Sequence, residues 1–321
     1  MENTKNKLQL IFGDWSLGVK GEDFHYIFSY KTGGLESFYA RGKEWLYRTP
    51  MPTFWRALTD NDRGCHFHET SGIWMAADVF IRVKGFQISV DGKKVDDFFA
   101  PGNNEYSQDE YGEKVEIEYE YETITSPAAK VTIAYTVEPG GVMTVKAVYH
   151  GVKGLPQMPV FGVRMIMPTL AEGFTYEGLS GETYPDRLDG GVPGVYEVEG
   201  LPVTPYMLPQ ECGMHSRTKW VEIRRRTELD NRDKEWKTTT LRVEAADEDM
   251  YFSCLPYTAE ELENATHQEE LPLPRRTVLC VYGAVRGVGG IDSWGAEVEE
   301  AYRVSGEEDH TVSFRLMPYS L

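Results

Sequence analysis

Apolar and polar residues alternate with a period of two over long stretches of this chain. Val115, Ile117, Tyr119 and Tyr121 interleave with Glu116, Glu118, Glu120 and Glu122, the mark of a strand with one buried face and one acidic, wetted face. Val131, Ile133, Tyr135 and Val137 repeat the pattern beyond Ser126 and Pro127, and Met143, Val145, Ala147 and Tyr149 repeat it after Pro139, Gly140 and Gly141. Runs at His25–Tyr30 and Leu35–Tyr39 flank Lys31, Thr32, Gly33 and Gly34, which predicts a hairpin. Further strands are expected at Val160–Met167, Thr239–Ala245, Met250–Leu255 and Thr311–Leu316, and the apolar run Thr277–Val285 reads as a buried strand. Helical signal is sparse. Ser71–Phe80 predicts one short helix and Thr258–His267 a second, with Thr258 and Glu261 spaced as a capping box. More than a dozen strands with two short helices predict an all-β fold, a large antiparallel sandwich. No low-complexity linker interrupts it, so residues 1–321 read as a single domain. The stretch Glu172–Gly213 is rich in Gly and Pro and reads as long ordered loops, where sites are usually placed.

The charge balance narrows the function. A net charge of −18 excludes a nucleic-acid partner, because no broad basic face can dominate it. The basic cluster Arg217–Lys237 is interleaved with Glu222, Glu228, Asp230, Asp233 and Glu235 and is expected to be a solvated strand pair. The first residues are polar, with no apolar signal segment, and no run of 18 apolar residues suggests a membrane span. Cys65, Cys212, Cys254 and Cys280 stand far apart without metal-ligand spacing, as free thiols of a reducing cytoplasm would.

Four loop stretches could carry chemistry. Asp60, Asn61, Asp62, Arg63 and Gly64 lack the spacing of a calcium loop, and Asx capping of a turn accounts for them equally well. Glu182, Tyr184, Pro185, Asp186 and Arg187 offer an ion pair between Asp186 and Arg187 and a carboxylate at Glu182. Pro209, Gln210, Glu211 and Cys212 form a third rigid, polar segment. The fourth, Gly287–Gly295, contains four glycines and presents Asp292, Ser293 and Trp294 directly after the buried strand. A Trp there can be turn packing or a platform for a sugar ring, whose C–H groups pack on the indole face. His66 and His68 lie two apart near Asp62 and Cys65, a thin basis for a metal. No nucleophile elbow, phosphate loop or dinucleotide fingerprint occurs. Glycoside hydrolysis needs two carboxylates about 5 to 9 Å apart, and sequence alone singles out no such pair.

Trp55, Arg56 and Ala57 with Thr59–Asp62, then Glu182–Arg187, Pro209–Glu211 and Gly287–Trp294 occur in an order and spacing that resemble the C-terminal domain of the large family 2 β-galactosidases. The resemblance covers the chain from about Leu8 to its end. A chain that starts at its own Met and stops after this domain looks like the small subunit of the two-chain β-galactosidases of Gram-positive bacteria. The resemblance implies a galactose-mutarotase-like super-sandwich. It also implies that the acid/base and nucleophile glutamates, with magnesium and sodium sites, lie in a barrel domain on a large partner chain. No catalytic residue, metal or cofactor is then expected on this chain, and the isolated chain is expected to be inactive. Trp294, with Asp292 in a weaker role, is expected to contact the galactoside, lactose for example. Asp60–Gly64 matches a segment that moves as the pocket closes. Leu58 stands where single-chain relatives usually have Pro, and Ile291 where many carry a polar or acidic residue. A stand-alone carbohydrate-binding or mutarotase-like sandwich is the alternative of a different class, and a purely structural subunit is a third.

Overall fold

The computed structural model describes residues 7–96, 110–227, 237–292 and 294–320. The chain opens with β1 (Leu8–Phe12), β2 (Ser16–Lys20), β3 (Phe24–Ser29), β4 (Gly34–Ala40), β5 (Lys43–Glu44) and β6 (Arg48–Thr53). Two helical turns follow, α1 (Asp60–Gly64) and α2 (Phe67–Ser71). Next come β7 (Arg82–Val90), β8 (Lys93–Lys94), β9 (Tyr111–Gly112), β10 (Val115–Glu122), β11 (Lys130–Val137), β12 (Met143–Tyr149) and β13 (Val160–Met167). The last third contains β14 (Gly173–Leu179), β15 (Pro193–Glu199), β16 (Met214–Thr218), β17 (Trp220–Arg225), β18 (Thr239–Ala245) and β19 (Met250–Leu255). It closes with α3 (Ala259–Asn264), β20 (Thr277–Val285) and β21 (His310–Ser320).

Three antiparallel sheets result. A ten-stranded sheet has the order β15-β14-β17-β18-β21-β12-β11-β10-β7-β8. A six-stranded sheet, β5-β4-β3-β2-β1-β9, and a five-stranded sheet, β16-β19-β20-β13-β6, pack against it and meet one another where β4 abuts β6. The alternating strands act as their patterns predict. Tyr119 pairs with Ile133 and Ile133 with Ala147, so the apolar members of β10, β11 and β12 share one buried face. Rings cross between sheets at Phe28 and Tyr135 (centroids 5.6 Å apart) and at Phe174 and Phe252 (5.7 Å). Buried tyrosines give their hydroxyl protons to backbone carbonyls, Tyr26 to Gly141 at 2.6 Å and Tyr121 to Gly33 at 2.8 Å, which satisfies a group that is costly to bury unpaired. One cluster of buried residues draws on all three sheets.

Three expectations need correction. The helix expected at Ser71–Phe80 lies earlier, at Phe67–Ser71, followed by a 3₁₀ turn at Gly72–Trp74 and irregular turns to Phe80. Gly72 weakens a continuing helix, and the segment is tied to the body by the buried Trp74, whose Nε1 donates to Pro156 O at 3.3 Å. The stretch Glu172–Gly213 contains the hairpin of β14 and β15, hidden in sequence by glycines at 173, 178 and 194. The basic cluster forms the expected strand pair, β17 with β18, but Arg225 points inward, fully buried over the Trp45 ring and bonded to Glu44 O. The part of that cluster from 228 to 236 lies outside the described residues. The capping box at Thr258 and Glu261 is present, on a helix that ends at Asn264.

The five-stranded sheet positions the loops. β6 and β20 both run antiparallel to the β13 strand between them, so they run the same way, and the segments leaving Thr53 and Val285 emerge together. β20 is apolar throughout because both faces are covered. Leu279 and Val281 face the core between the sheets, while Val278, Cys280 and Tyr282 join Tyr184, Met214 and Val288 on the outer face. Phe161 on β13 is fully buried between the Phe54 and Tyr149 rings, at 6.0 and 5.9 Å. Phe161→Ala is expected to cost about 3 to 5 kcal/mol, read as a lower urea midpoint with unchanged β-sheet circular dichroism in buffer.

Candidate functional site

The two segments that emerge together are joined by a buried ion cluster. Asp62 on α1 is 1% exposed, and its carboxylate is shared by two buried arginines. Arg286 Nη1 donates to Asp62 Oδ1 at 2.7 Å, and Arg56 Nη1 stands 2.9 Å from Asp62 Oδ2. Thr59 completes the shell, its backbone N and Oγ1 both 3.0 Å from Oδ2, while Asp62 N donates to Thr59 Oγ1 at 3.1 Å. Asp60–Gly64 is therefore a helical turn closed by a capping box, not an open loop. Arg286 also covers the Phe67 ring, 4.1 Å from its centroid, and reaches Glu297 at 3.2 Å. Burial opposes the charge on Arg56, yet Asp62, then Glu211 and Tyr184, more than offset it and raise its pKa.

From this cluster outward, each contact fixes the glycine-rich loop. Arg56 Nη2 donates to Gly287 O at 3.0 Å and Asn61 Nδ2 to Val288 O at 3.0 Å. Asp186, almost buried, accepts from Val288 N at 2.9 Å and Gly289 N at 2.8 Å, one amide on each carboxylate oxygen. Its backbone neighbour Arg187 donates to Gly289 O. Their direct ion pair is loose, 3.7 Å, so Asp186 serves the loop first. Glycine at 287 leaves room for Asp186, because a Cβ there would stand 2.6 Å from its carboxyl carbon and would displace it. At the far end, Gly295 has φ +80° and its backbone rests on Gly64 at the end of α1.

The tip stands clear of this scaffold. Asp292 Oδ1 accepts from Trp294 N at 3.0 Å and Ala296 N at 3.1 Å, which folds the tip into a turn and presents Trp294 at 90% exposure. Turn packing within the chain is thus not what Trp294 does. Asp292 has one oxygen committed to the turn.

The remaining sequence candidates support the cluster from below. Gln210 grips Asp60 by both ends, accepting from its N at 2.9 Å and donating to its Oδ2 at 3.1 Å. Glu182 accepts from Tyr184 Oη at 3.2 Å and Thr204 Oγ1 at 2.9 Å. Arg63 donates to Leu58 O at 2.8 Å. The Leu58 N–H donates to Glu263 of α3 at 2.7 Å, a bond that proline could not make. Glu211 is buried, and desolvation pushes its pKa up to about 8, with Arg56 pulling the other way and Glu182 and Asp62 adding to the rise. Sequence reasoning passed over Arg286 and Glu263, although a charge placed directly after a nine-residue apolar strand signals a buried partner. No group of three or more His, Cys, Asp or Glu suited to a metal is present among the described residues. The His66 and His68 rings lie 6.3 Å apart, with Glu69 beside them.

Residues 20–316 match the family model of the β-galactosidase small chain. The chain belongs to the β-galactosidase small-chain family. It is 55% identical to the β-galactosidase small subunit of Latilactobacillus sakei, over 98% of this chain and 99% of that one. It is 34% identical to a β-galactosidase of Halalkalibacterium halodurans over 96% of this chain but only 28% of that protein. A galactose mutarotase-like protein from Lactobacillus casei aligns over 95% of this chain at 8% identity with a TM-score of 0.41, too low to bear on function. Family membership makes the chain a subunit of a glycoside hydrolase whose catalytic chain is a separate polypeptide.

Two outcomes follow from this geometry. Glu211 binds its proton more tightly folded than unfolded, so between its ordinary pKa near 4.5 and about 8 the folded chain loses stability as pH rises. Glu211→Gln is expected to flatten that decline, so that thermal melts of variant and wild type agree near pH 5 and the variant is the more stable at pH 8. Asp186→Asn keeps the shape but offers an N–H₂ to one of two amides, and hydrogen exchange at Val288 and Gly289 is expected to quicken by roughly tenfold or more, the weight of a charge-assisted hydrogen bond.

Proposed function

We propose that this chain completes the sugar pocket of a cytoplasmic two-chain β-galactosidase that cleaves terminal β-galactosides such as lactose. In this reading the large partner brings the acid/base and nucleophile carboxylates together with the metal ions. One observation carries it. The loop holding Trp294 is anchored by six hydrogen bonds from side chains of Arg56, Asn61, Asp186, Arg187 and Asp292 to its backbone or from its backbone to them, yet Trp294 itself is 90% exposed. A loop whose backbone is anchored this closely and whose aromatic is left this bare suits a surface that another molecule must meet.

The carboxylates point the same way. Asp62, Asp186 and Glu211 are buried or nearly so, and Glu182 is held by Tyr184 and Thr204. They are committed to scaffolding, whereas a retaining glycosidase needs an acid and a nucleophile opening on one cleft. Four free cysteines, three of them buried, support a reducing compartment. No helix of the described residues is long and apolar enough to cross a membrane.

Hydrolysis of a nitrophenyl galactoside tests the proposal. The chain alone is expected to be inactive and the mixture with its large partner active; turnover by the isolated chain would overturn it. In the mixture, Trp294→Ala is expected to leave assembly intact and raise KM by roughly 3- to 10-fold, the worth of one aromatic stacking contact. Unchanged kinetics would leave a structural role only.

A further inference from the structure

The segment from Gly72 to Phe80 is anchored inward and bare outward. Trp74 is fully buried against Phe54 and Tyr149, and Asp78 is buried with Arg164 Nη2 2.7 Å away. Around these anchors Ile73 and Met75 are more than a third exposed, Val79 is 56% exposed and Phe80 63%. The chain carries 26% charged residues and a net charge of −18, yet the one charge in this segment is the buried, paired Asp78. An ordered apolar surface stripped of charge is what the core of a protein–protein contact looks like, and single-chain solubility alone does not call for it.

Its position says what covers it. α1 and α2 pack together and lead directly into this segment, and the loop holding Trp294 rests on Gly64 at the end of α1. Trp74 Nε1 donates to Pro156 O, Met158 is bridged to Val304, and Gly287 N donates to Tyr302 O, so the apolar segment and the Trp294 loop are tied to the same two neighbouring stretches of chain. The β-galactosidases in which the counterpart of this chain is 28% of the length carry the remainder in one polypeptide, whereas a separate small chain must hold that remainder without a covalent link.

We propose that Ile73, Met75, Val79 and Phe80 are a docking surface for the large catalytic chain, continuous with the edge of the pocket at Trp294. The proposal rests on the function given above. A whole large chain arriving to place its pocket over Trp294 must cover neighbouring surface, and this apolar segment follows directly on the helical turns against which the Trp294 loop rests.

The test is a sedimentation titration of the full small chain with the full large chain. Val79→Asp with Phe80→Asp is expected to weaken association at least 30-fold while the variant melts like wild type, and Val195→Asp on the exposed edge strand β15 is expected to bind normally. Hydrogen exchange on wild type is expected to slow across residues 71–81 when the large chain is added, which reads the contact even if the double variant fails to fold. Equal affinity of the double variant, or no protection of 71–81, overturns the docking surface while leaving the subunit reading intact. If wild type itself does not bind the large chain, the subunit reading has failed instead. A wild-type chain that self-associates, and that the double variant renders monomeric with unchanged affinity for the large chain, assigns the surface to a second copy and overturns the proposal.

Discussion

Two guanidinium groups share one carboxylate in the interior of this chain, and the arrangement of the loops follows from that. Arg56 follows β6 and Arg286 follows β20, with Asp62 between them on a single helical turn. Burying three charges is expensive, and the cost is tolerable only where each finds partners in a fixed geometry. Removing any one leaves the others uncompensated in a low dielectric, which makes the cluster an all-or-none register for the two segments. Its spare donors do the positioning. Arg56 still has a hydrogen to give Gly287 O, and Arg286 one to give Glu297.

Rigidity then passes from the cluster to the tip in two stages. The first is the amides of Val288 and Gly289, each held by one oxygen of Asp186. The second is the turn made by Asp292, on which Trp294 stands. A large side chain at 287 would push Asp186 away, and one at 295 would meet the backbone of Gly64. The glycines of this loop are thus sites of close approach more than sources of flexibility.

The β-strands were legible in the amino-acid order because a half-buried strand writes its two environments in alternate residues, as in Glu116–Glu122. The hairpin of β14 and β15 was not, since glycines at 173, 178 and 194 replace side chains that would have carried the alternation. The helical turn at Asp60–Gly64 escaped for another reason. Five residues are too few to show a period, and only Thr59 and Asp62, three apart, hinted at a cap. Resemblance singled out the stretches holding Trp294, Asp186 and Gln210 by their order along the chain and set Trp294 first, but it did not show that Asp186 and Gln210 meet the loop and the helical turn through hydrogen bonds. Arg286 and Glu263 were missed because their partners are 224 and 205 residues away, so that even where a charge after an apolar strand signals a buried partner, nothing local says which residue it is.

The division of labour between two chains also has a physical logic. A catalytic carboxylate must change its protonation or form a bond during the reaction, so it cannot be tied into a closed set of hydrogen bonds. A stacking aromatic has the opposite need: it works best when held still, because ordering it at the moment of binding would cost affinity. In the function proposed above, this chain takes the second task. Asp62 and Asp186 hold loops in place and Glu211 is buried behind them, so none of the three opens on a surface where a substrate could meet it. What the chain offers outward is an exposed indole on a loop whose backbone is anchored, together with the exposed apolar residues of the segment from Ile73 to Phe80. Both are complete in structure and incomplete in chemistry until another polypeptide brings the reacting groups.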